Sequence, residues 1–344
     1  MRNSRFATSW GLVAGAAWAA LVGLLPAAAA TDLQKVAGRV FQRPRSVAHA
    51  GTMKVTLAAA PAPATVRVYC DGKGNERREY VDGPASGTVV LTVGDRAWTR
   101  GASDRQWKVL PPSALDAGAW QRLQRNYRFE PRETRRVAGR KAVGLAVLPK
   151  QAGNPSQVIW VDEASGLVLR AEQYGSSGAL TMTSVYESVS LGVPRGVDFS
   201  APAEAEVAPV APPDQWEKVA SLDELERRVG HRVPRPTAMP PGYVLSSVYL
   251  RGCVQGDKHP VLRYDDGLNP LTLFVSHGPA GGGGRGRGGR GWGWGRLFGG
   301  KRGTCWIEDA DGQAVARTVV GNHVYVLVGD LPAPVLQSAL RSIE

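Results

Sequence analysis

The sequence has few of the side chains that build metal sites and catalytic centres. Its 344 residues include three cysteines and five histidines, and no CxxC pair occurs. The histidines are scattered, so none of them forms a cluster with metal-ligand spacing. The motifs GxSxG and HExxH and the phosphate-binding loop are absent, and GRGRGG does not open a helix within a βαβ unit. We therefore expect no metal, no cofactor and no enzymatic activity.

The one long apolar run of the chain lies within its first thirty residues. Arg2 and Arg5 precede the apolar residues 10–25, and three alanines at 28–30 offer a small-residue cleavage site. The run is short for a membrane anchor, which needs about 20 apolar residues. We predict that residues 1–30 are a signal peptide cleaved near Ala30. The mature protein is then expected outside the cytoplasm.

Acidic residues are missing from residues 281–303, where thirteen glycines accompany six basic residues. This segment therefore carries half of the formal net charge of +12. Three interpretations are open: a solvated loop between strands, contact with anionic lipid headgroups, and nucleic-acid binding through arginine and tryptophan. An exported protein rarely meets nucleic acid, so we expect none as a partner. The candidate contacts with an anionic surface are Arg285, Arg287, Arg290 and Arg296.

The small number of cysteines leaves room for one disulfide. An oxidising compartment allows cysteines to pair, and the odd count leaves one thiol over. Cys253 and Cys305 both fall in the second half of the chain, on or beside predicted strands. We predict that these two form a disulfide and that Cys70 stays free.

Aromatic residues are absent from residues 201–213, a segment that contains four prolines. This composition predicts a semi-extended linker. It divides the mature chain into a first domain, residues 31–200, and a second domain, residues 214–344.

The first domain is dominated by short strands with Gly, Asp and Pro turns. The strongest pattern is residues 158–180, where apolar and polar residues alternate on both sides of a tight turn. This pattern indicates an antiparallel meander with one dry and one wet face. The predicted strands before it are residues 52–58, 64–70, 77–81, 87–93, 97–100, 107–110 and 141–149. Together they indicate an antiparallel sheet or a partial barrel.

Two helices are predicted within this strand-rich domain, over residues 33–42 and 113–127. Leu115, Trp120, Leu123 and Tyr127 share one stripe at helical spacing. The stripe fits either core packing or a lid over an apolar cavity.

The second domain mixes helices and strands. Ser221 and Glu224 form a capping box, and Gly230 stands where that helix would end. Asp265 and Asp266 fit a turn between strands. Strands are predicted over residues 243–253, 261–264, 271–276, 304–308, 314–320 and 323–328, followed by a helix over residues 331–343. We predict a small α+β domain.

Several segments resemble the periplasmic sigma-factor regulators of the RseB/MucB type, whose first domain shares its fold with the lipoprotein carrier LolA. The first domain matches in HAGTMKV (49–55), YRFEPRETRRVAGRKAVGLAVLPK (127–150) and VIWVDEASGLVLRAEQYGSSGAL (158–180). The second matches in MPPGYVLSSVYLRG (239–252), LRYDDGLNPLTLFVS (262–276) and VVGNHVYVLVGDLPAPVLQSALRSI (319–343). A simple LolA carrier lacks the second domain. Residues 281–303 and the stretch after the leader depart from the pattern.

The resemblance implies an α+β fold: a curved antiparallel half-barrel with helices on its concave face, plus a smaller α+β domain. It also implies a regulator of the envelope stress response that senses lipid or lipoprotein acyl chains. Such a regulator binds the periplasmic part of a membrane anti-sigma factor and controls its proteolysis. The alternative is a periplasmic carrier of lipid or lipoprotein.

An apolar concave face would suit an acyl chain, because each buried methylene contributes roughly 0.8 kcal/mol. The same side chains could instead fill a closed core, and the pattern alone does not separate the two. The candidate lining residues are Val89, Leu91, Val93, Trp120, Trp160, Leu167 and Leu169.

Overall fold

Two antiparallel sheets account for most of the chain. The computed structural model describes residues 27–43, 45–111, 117–208, 216–252, 258–277, 307–310 and 313–344. Within these residues, no helix is both long and apolar enough to cross a bilayer.

The first sheet has eleven strands and curves into an open half-barrel. Its strands are β1 (His49–Leu57), β2 (Ala64–Cys70), β3 (Glu76–Tyr80), β4 (Val89–Val93), β5 (Arg96–Arg100), β6 (Lys108–Val109), β7 (Tyr127–Val137), β8 (Arg140–Pro149), β9 (Ser156–Asp162), β10 (Val168–Tyr174) and β11 (Leu180–Leu191). Their order is β6-β5-β4-β3-β2-β1-β11-β10-β9-β8-β7. The first and last strands of the domain are therefore neighbours in the middle of the sheet.

Two helices pack on this sheet, α1 (Ala27–Gln42) and α2 (Ala119–Asn126). Leu33 and Ala37 of α1 pack against Leu145, Ile159 and Val161 of the concave face. Side chains alternate across a strand, so the neighbours of Ile159 point the other way. The helices thus cover part of the concave face and leave the remainder as the wall of a cavity.

The second sheet has seven strands and its own core. Its strands are β12 (Trp216–Val219), β13 (Val244–Gly252), β14 (Lys258–Asp265), β15 (Pro270–His277), β16 (Ile307–Ala310), β17 (Gln313–Val320) and β18 (His323–Gly329). The order is β12-β13-β14-β15-β18-β17-β16. The helices α3 (Leu222–Val229) and α4 (Ala333–Arg341) pack on one face, where Leu225, Leu336 and Leu340 are fully or almost fully buried. This is the predicted smaller α+β domain.

The caps of α3 follow the sequence signals closely. The Ser221 hydroxyl accepts a hydrogen bond from the Glu224 backbone N–H at 3.1 Å, and Gly230 ends the helix with φ +77°. The Glu224 carboxylate accepts from the backbone N–H of Ala220 rather than that of Ser221. A side-chain oxygen at the N-cap satisfies a backbone donor that the helix leaves unpaired.

The predicted linker contacts the first sheet at one point. The Trp107 backbone N–H donates to the Glu206 carbonyl at 2.8 Å, and the Ala208 N–H donates to the Trp107 carbonyl at 2.7 Å. Residues 206–208 therefore lie beside the edge of the sheet. The domain boundaries proposed from the sequence remain predictions, since residues 209–215 lie outside the described part of the chain.

Candidate ligand cavity and domain junction

The concave face of the first sheet encloses a cavity of about 640 Å³, called here the ligand cavity. Its apolar wall comes from β1, β2 and β11, three strands that are adjacent in the sheet. Met53 pairs with Tyr186 and with Val66, and Val55 pairs with Ser184. These pairs project from one face of the sheet. The apolar side chains in the wall include Met53, Val55, Leu57, Val66, Val68 and Met182.

One end of the ligand cavity is basic. Arg39 and Arg43 come from the end of α1 and the residue after it, while Arg45 and Arg78 stand nearby in the wall. The Arg78 Nε lies 2.8 Å from the Glu76 Oε1, and the Arg78 side chain is 44% exposed. The cavity is therefore amphipathic, with an apolar length and a cationic end.

A buried pair formed by one histidine and one tyrosine lies at the same end. The His49 Nδ1 is 2.8 Å from the Val47 carbonyl, which can only accept, so Nδ1 carries the proton. The His49 Nε2 therefore accepts from the Tyr186 hydroxyl at 2.7 Å. Burial lowers the pKa of His49 and raises that of Tyr186. Both groups are thus held neutral.

We expect this buried histidine to make the protein less stable in acid. In the unfolded chain His49 takes up a proton below its ordinary pKa of 6.5, whereas in the folded protein its pKa is lower. The free energy of unfolding should therefore fall as pH decreases below 6.5 and until the folded pKa is passed. Urea unfolding between about pH 8 and pH 5 should show a shallower pH dependence for His49→Gln than for the wild type. Parallel pH profiles would contradict the assignment.

The seven residues predicted to line the cavity are placed in four different environments. Leu167 lies in the wall of the ligand cavity. Val89, Leu91 and Val93 pack with Trp98 and Trp107 at the far edge of the sheet. Trp120 stacks on Phe129, with ring centroids 6.0 Å apart. Trp160 and Leu169 are buried with Val158.

Trp160 shows that the face of the strand from which a side chain projects decides whether that side chain can reach the cavity. Its neighbours Ile159 and Val161 pack with α1, so its own side chain leaves the opposite face of β9. The Trp160 indole N–H donates to the Glu133 carbonyl of β7 at 3.2 Å, and Arg135 lies over the ring at 4.7 Å. These contacts place the Trp160 side chain against β7, on the face of the sheet opposite the cavity wall.

The other predicted site residues lie outside the described part of the chain. Arg285, Arg287, Arg290, Arg296, Cys253 and Cys305 all fall there, so the headgroup contact and the disulfide stay predictions. Cys70 is buried and free, and burial raises the pKa of its thiol. Among the described residues, no group of three or more His, Cys, Asp or Glu side chains is arranged to hold a metal ion.

The two domains meet at a buried polar contact that the sequence patterns did not reveal. Asp265 and Asp266, interpreted only as turn residues, are both 0% exposed. Arg122 of α2 holds Asp265 with two hydrogen bonds, Nε to Oδ1 at 2.6 Å and Nη2 to Oδ2 at 2.8 Å. A bidentate pair of this kind fixes both position and orientation.

Asp266 is held by the first domain as well. It accepts from the Tyr127 hydroxyl at 2.5 Å and from the Asn154 side-chain amide at 3.2 Å. Burial, and then the charge of Asp266, raises the pKa of Tyr127, so the hydroxyl stays protonated and donates. Asn126 donates to the carbonyls of Gly242 and Asp266 at 2.9 and 2.8 Å. We name residues 265–269 the junction turn.

A family comparison agrees with this architecture. Residues 65–210 match the family described as the MucB/RseB N-terminal domain. The chain is therefore similar to proteins of the RseB/MucB type, and the match to the family covers most of its first domain. The curated relative named "Sigma factor AlgU regulatory protein MucB", from Pseudomonas aeruginosa, is 25% identical over 265 residues, covering 74% of this chain and 78% of that protein.

Solved structures show the same fold over nearly the whole length. A chain of the Pseudomonas aeruginosa MucA/MucB complex superposes with a TM-score of 0.57 at 19% identity, covering 91% of this chain and 98% of that chain. A structure of MucB in complex with MucA(peri) gives a TM-score of 0.56 at 19% identity, covering 92% and 98%. The likeness of fold therefore extends beyond the residues matched by the family model.

Proposed function

We propose that this protein is an exported regulator that binds an acyl chain in the ligand cavity and an anti-sigma factor through its second domain. The observation that carries the proposal is an amphipathic cavity in an RseB/MucB-type first domain. The cavity is already open in this structure, so the protein needs to order few side chains or loops when a ligand enters. The free-energy cost of this ordering on binding is correspondingly small.

The cavity favours an amphiphile over a fully polar ligand. The strands β1, β2 and β11 supply an apolar wall, and the arginines at one end would attract an anionic group. Removing apolar surface from water contributes about 25 cal/mol for each Å² buried. A lipid or the acyl chain of a mislocalised lipoprotein would meet both requirements.

The proposed protein partner is the periplasmic part of a membrane anti-sigma factor. The relative is named a sigma-factor regulatory protein, and the superposed structures are of MucB in complex with MucA or MucA(peri). We propose that residues 214–344 form most of the contact, in a periplasmic location, and that binding shields the partner from proteolysis. Contact of residues 281–303 with anionic headgroups would bring the complex close to the membrane.

Charge placed in the cavity should abolish its response to lipid. In Val55→Glu a carboxylate enters the apolar wall, where ionisation is strongly opposed. Isothermal titration with stearate should show at least about a tenfold loss of affinity, which corresponds to 1.4 kcal/mol. Stearate should change the affinity of wild type for the anti-sigma segment by about fivefold or more, and leave that of Val55→Glu unchanged.

Thr56→Glu is the matched control. Thr56 is the next residue of β1, is exposed, and points to the opposite face, so the same charge stays in water. It should bind stearate and the anti-sigma segment as the wild type does. Equal stearate binding by both variants would contradict the cavity assignment. Stearate binding with no affinity for the anti-sigma segment would favour the carrier function instead.

A further inference from the structure

A second cavity, of about 470 Å³, lies where the two domains meet; we call it the junction cavity. The first domain contributes Pro155, Ser156 and Tyr174 to its wall, and the second domain contributes Leu268 and Asn269 of the junction turn. It is therefore a space that exists only while the two domains hold this arrangement.

The junction cavity adjoins the ligand cavity. Leu57, Gln157, Gln173 and Met182 stand in the walls of both. Strand β1 runs from His49 at the basic end to Leu57 at the shared wall, nine residues that span about 27 Å at roughly 3.4 Å per residue. A ligand held at the arginines therefore needs a long chain to reach the second domain.

The wall of the junction cavity is hydrogen-bonded directly to the contact between the domains. The backbone N–H groups of Leu268 and Asn269 donate to the Asp266 Oδ1 at 2.9 and 2.8 Å. The Asn269 side-chain amide donates to the Tyr127 hydroxyl at 2.9 Å. Leu268 also packs against Leu123 and Tyr127. Atoms that a ligand would touch are thus one hydrogen bond away from Asp266.

We propose that the two cavities form one bipartite site, in which the far end of a long acyl chain fills the junction cavity and fastens the domains in this arrangement. A short chain occupies the ligand cavity alone and leaves the junction unaffected. The inference rests on the proposed acyl-chain binding and adds that chain length is detected at the junction turn. A ligand stabilises the state whose cavity it fills, because it has fewer contacts in any state where that cavity is open.

Peptide-level hydrogen exchange of the full-length protein tests the inference with two probes, octanoate and stearate, each below its micelle-forming concentration. Stearate should slow the exchange of residues 265–269 by about fivefold or more, the lower end of typical coupling between sites. Octanoate should leave these residues unchanged while protecting β1 and β11. Equal protection of the junction turn by both probes, or by neither, would overturn the bipartite site.

Variants of the junction provide the reciprocal measurement. Tyr127→Phe and Asn154→Ala each remove one donor to Asp266, so both should weaken stearate binding and leave octanoate binding unchanged. Tyr325→Phe is the matched control, a fully buried tyrosine of the second core that is not part of the junction turn or its wall, and should bind both probes normally. Equal loss for both probes would contradict the inference. If neither probe binds the wild type, the proposed acyl-chain binding fails and the inference fails with it.

Discussion

Replacing Arg122 by Ala should lower the free energy of unfolding by about 3–5 kcal/mol, because it leaves Asp265 buried without its partner. The Asp265 side chain is 0% exposed and Arg122 supplies both of its inter-domain hydrogen bonds. Transferring an unpaired charge out of water is costly, and the neighbouring Gly267 N–H can offset only part of it. Urea or thermal unfolding of the full-length protein measures the loss.

Lys141→Ala is the control for this prediction. Lys141 pairs with Glu163 at 2.9 Å, but the two side chains are 59% and 53% exposed. Exposed ion pairs contribute about 0–1 kcal/mol, so this variant should be nearly as stable as the wild type. Similar losses of stability for Arg122→Ala and Lys141→Ala would show that the pair of Arg122 and Asp265 is exposed to solvent.

Gly267→Ala should separate the junction turn from α2. Gly267 has φ +99°, and a Cβ atom there would lie 2.1 Å from the Leu123 backbone nitrogen and 2.7 Å from the Ala119 carbonyl oxygen. Helix backbone cannot move aside cheaply, so the turn must withdraw. Overpacking costs about 1–3 kcal/mol and the positive-φ backbone conformation about 1–2 kcal/mol more, which together predict a loss of about 2–5 kcal/mol.

Gly178→Ala isolates the backbone part of this cost. Gly178 has φ +79°, yet nothing lies within 4 Å of the position of its added Cβ. The loss there should be about 1–2 kcal/mol. Gly267→Ala should lose more stability than Gly178→Ala, and this larger loss should be accompanied by faster hydrogen exchange in residues 119–126 and 265–269. A larger loss of stability without faster hydrogen exchange in these residues would contradict a contact at the junction.

Much of the fold follows from local patterns. Residues 64–70 were predicted as a strand and form β2 with the same bounds, and the meander of residues 158–180 forms β9, β10 and the start of β11. Period-two alternation is a local property of the chain, so it can be detected in one segment at a time. The expected α+β class and curved sheet are confirmed by the structure.

Strand β7 shows where local patterns fail. Residues 127–137 hold six charged residues and Pro131, a composition that disfavours a strand, and the sequence patterns did not predict one there. The strand forms because it is an edge: it pairs only with β8 along the sheet, so charged side chains and a proline are tolerated. Its Glu133 carbonyl then accepts from the Trp160 indole.

The cavity wall could not be deduced because it depends on register. A single irregularity changes the face that a side chain occupies, and the β9–β10 pairing shifts between Val168 and Arg170. Val168 and Ala171, three residues apart, consequently both stand in the wall of the ligand cavity, although regular alternation would put them on opposite faces. The buried contact of the junction turn was not predicted for another reason. Asp265 and Asp266 are typical of an exposed turn, and only the first domain buries them.

The pairing of β1 with β11 has a consequence for folding kinetics. Both strands supply wall to the ligand cavity, and the His49–Tyr186 contact joins residues 137 positions apart. Closing so long a loop is entropically expensive, and proteins rich in distant contacts fold slowly. Hairpins such as β9–β10 can form as soon as their residues are available, whereas β1 waits for the end of the domain. The cavity should be the last part of the first domain to appear, and a chain that stops before Leu180 should have none.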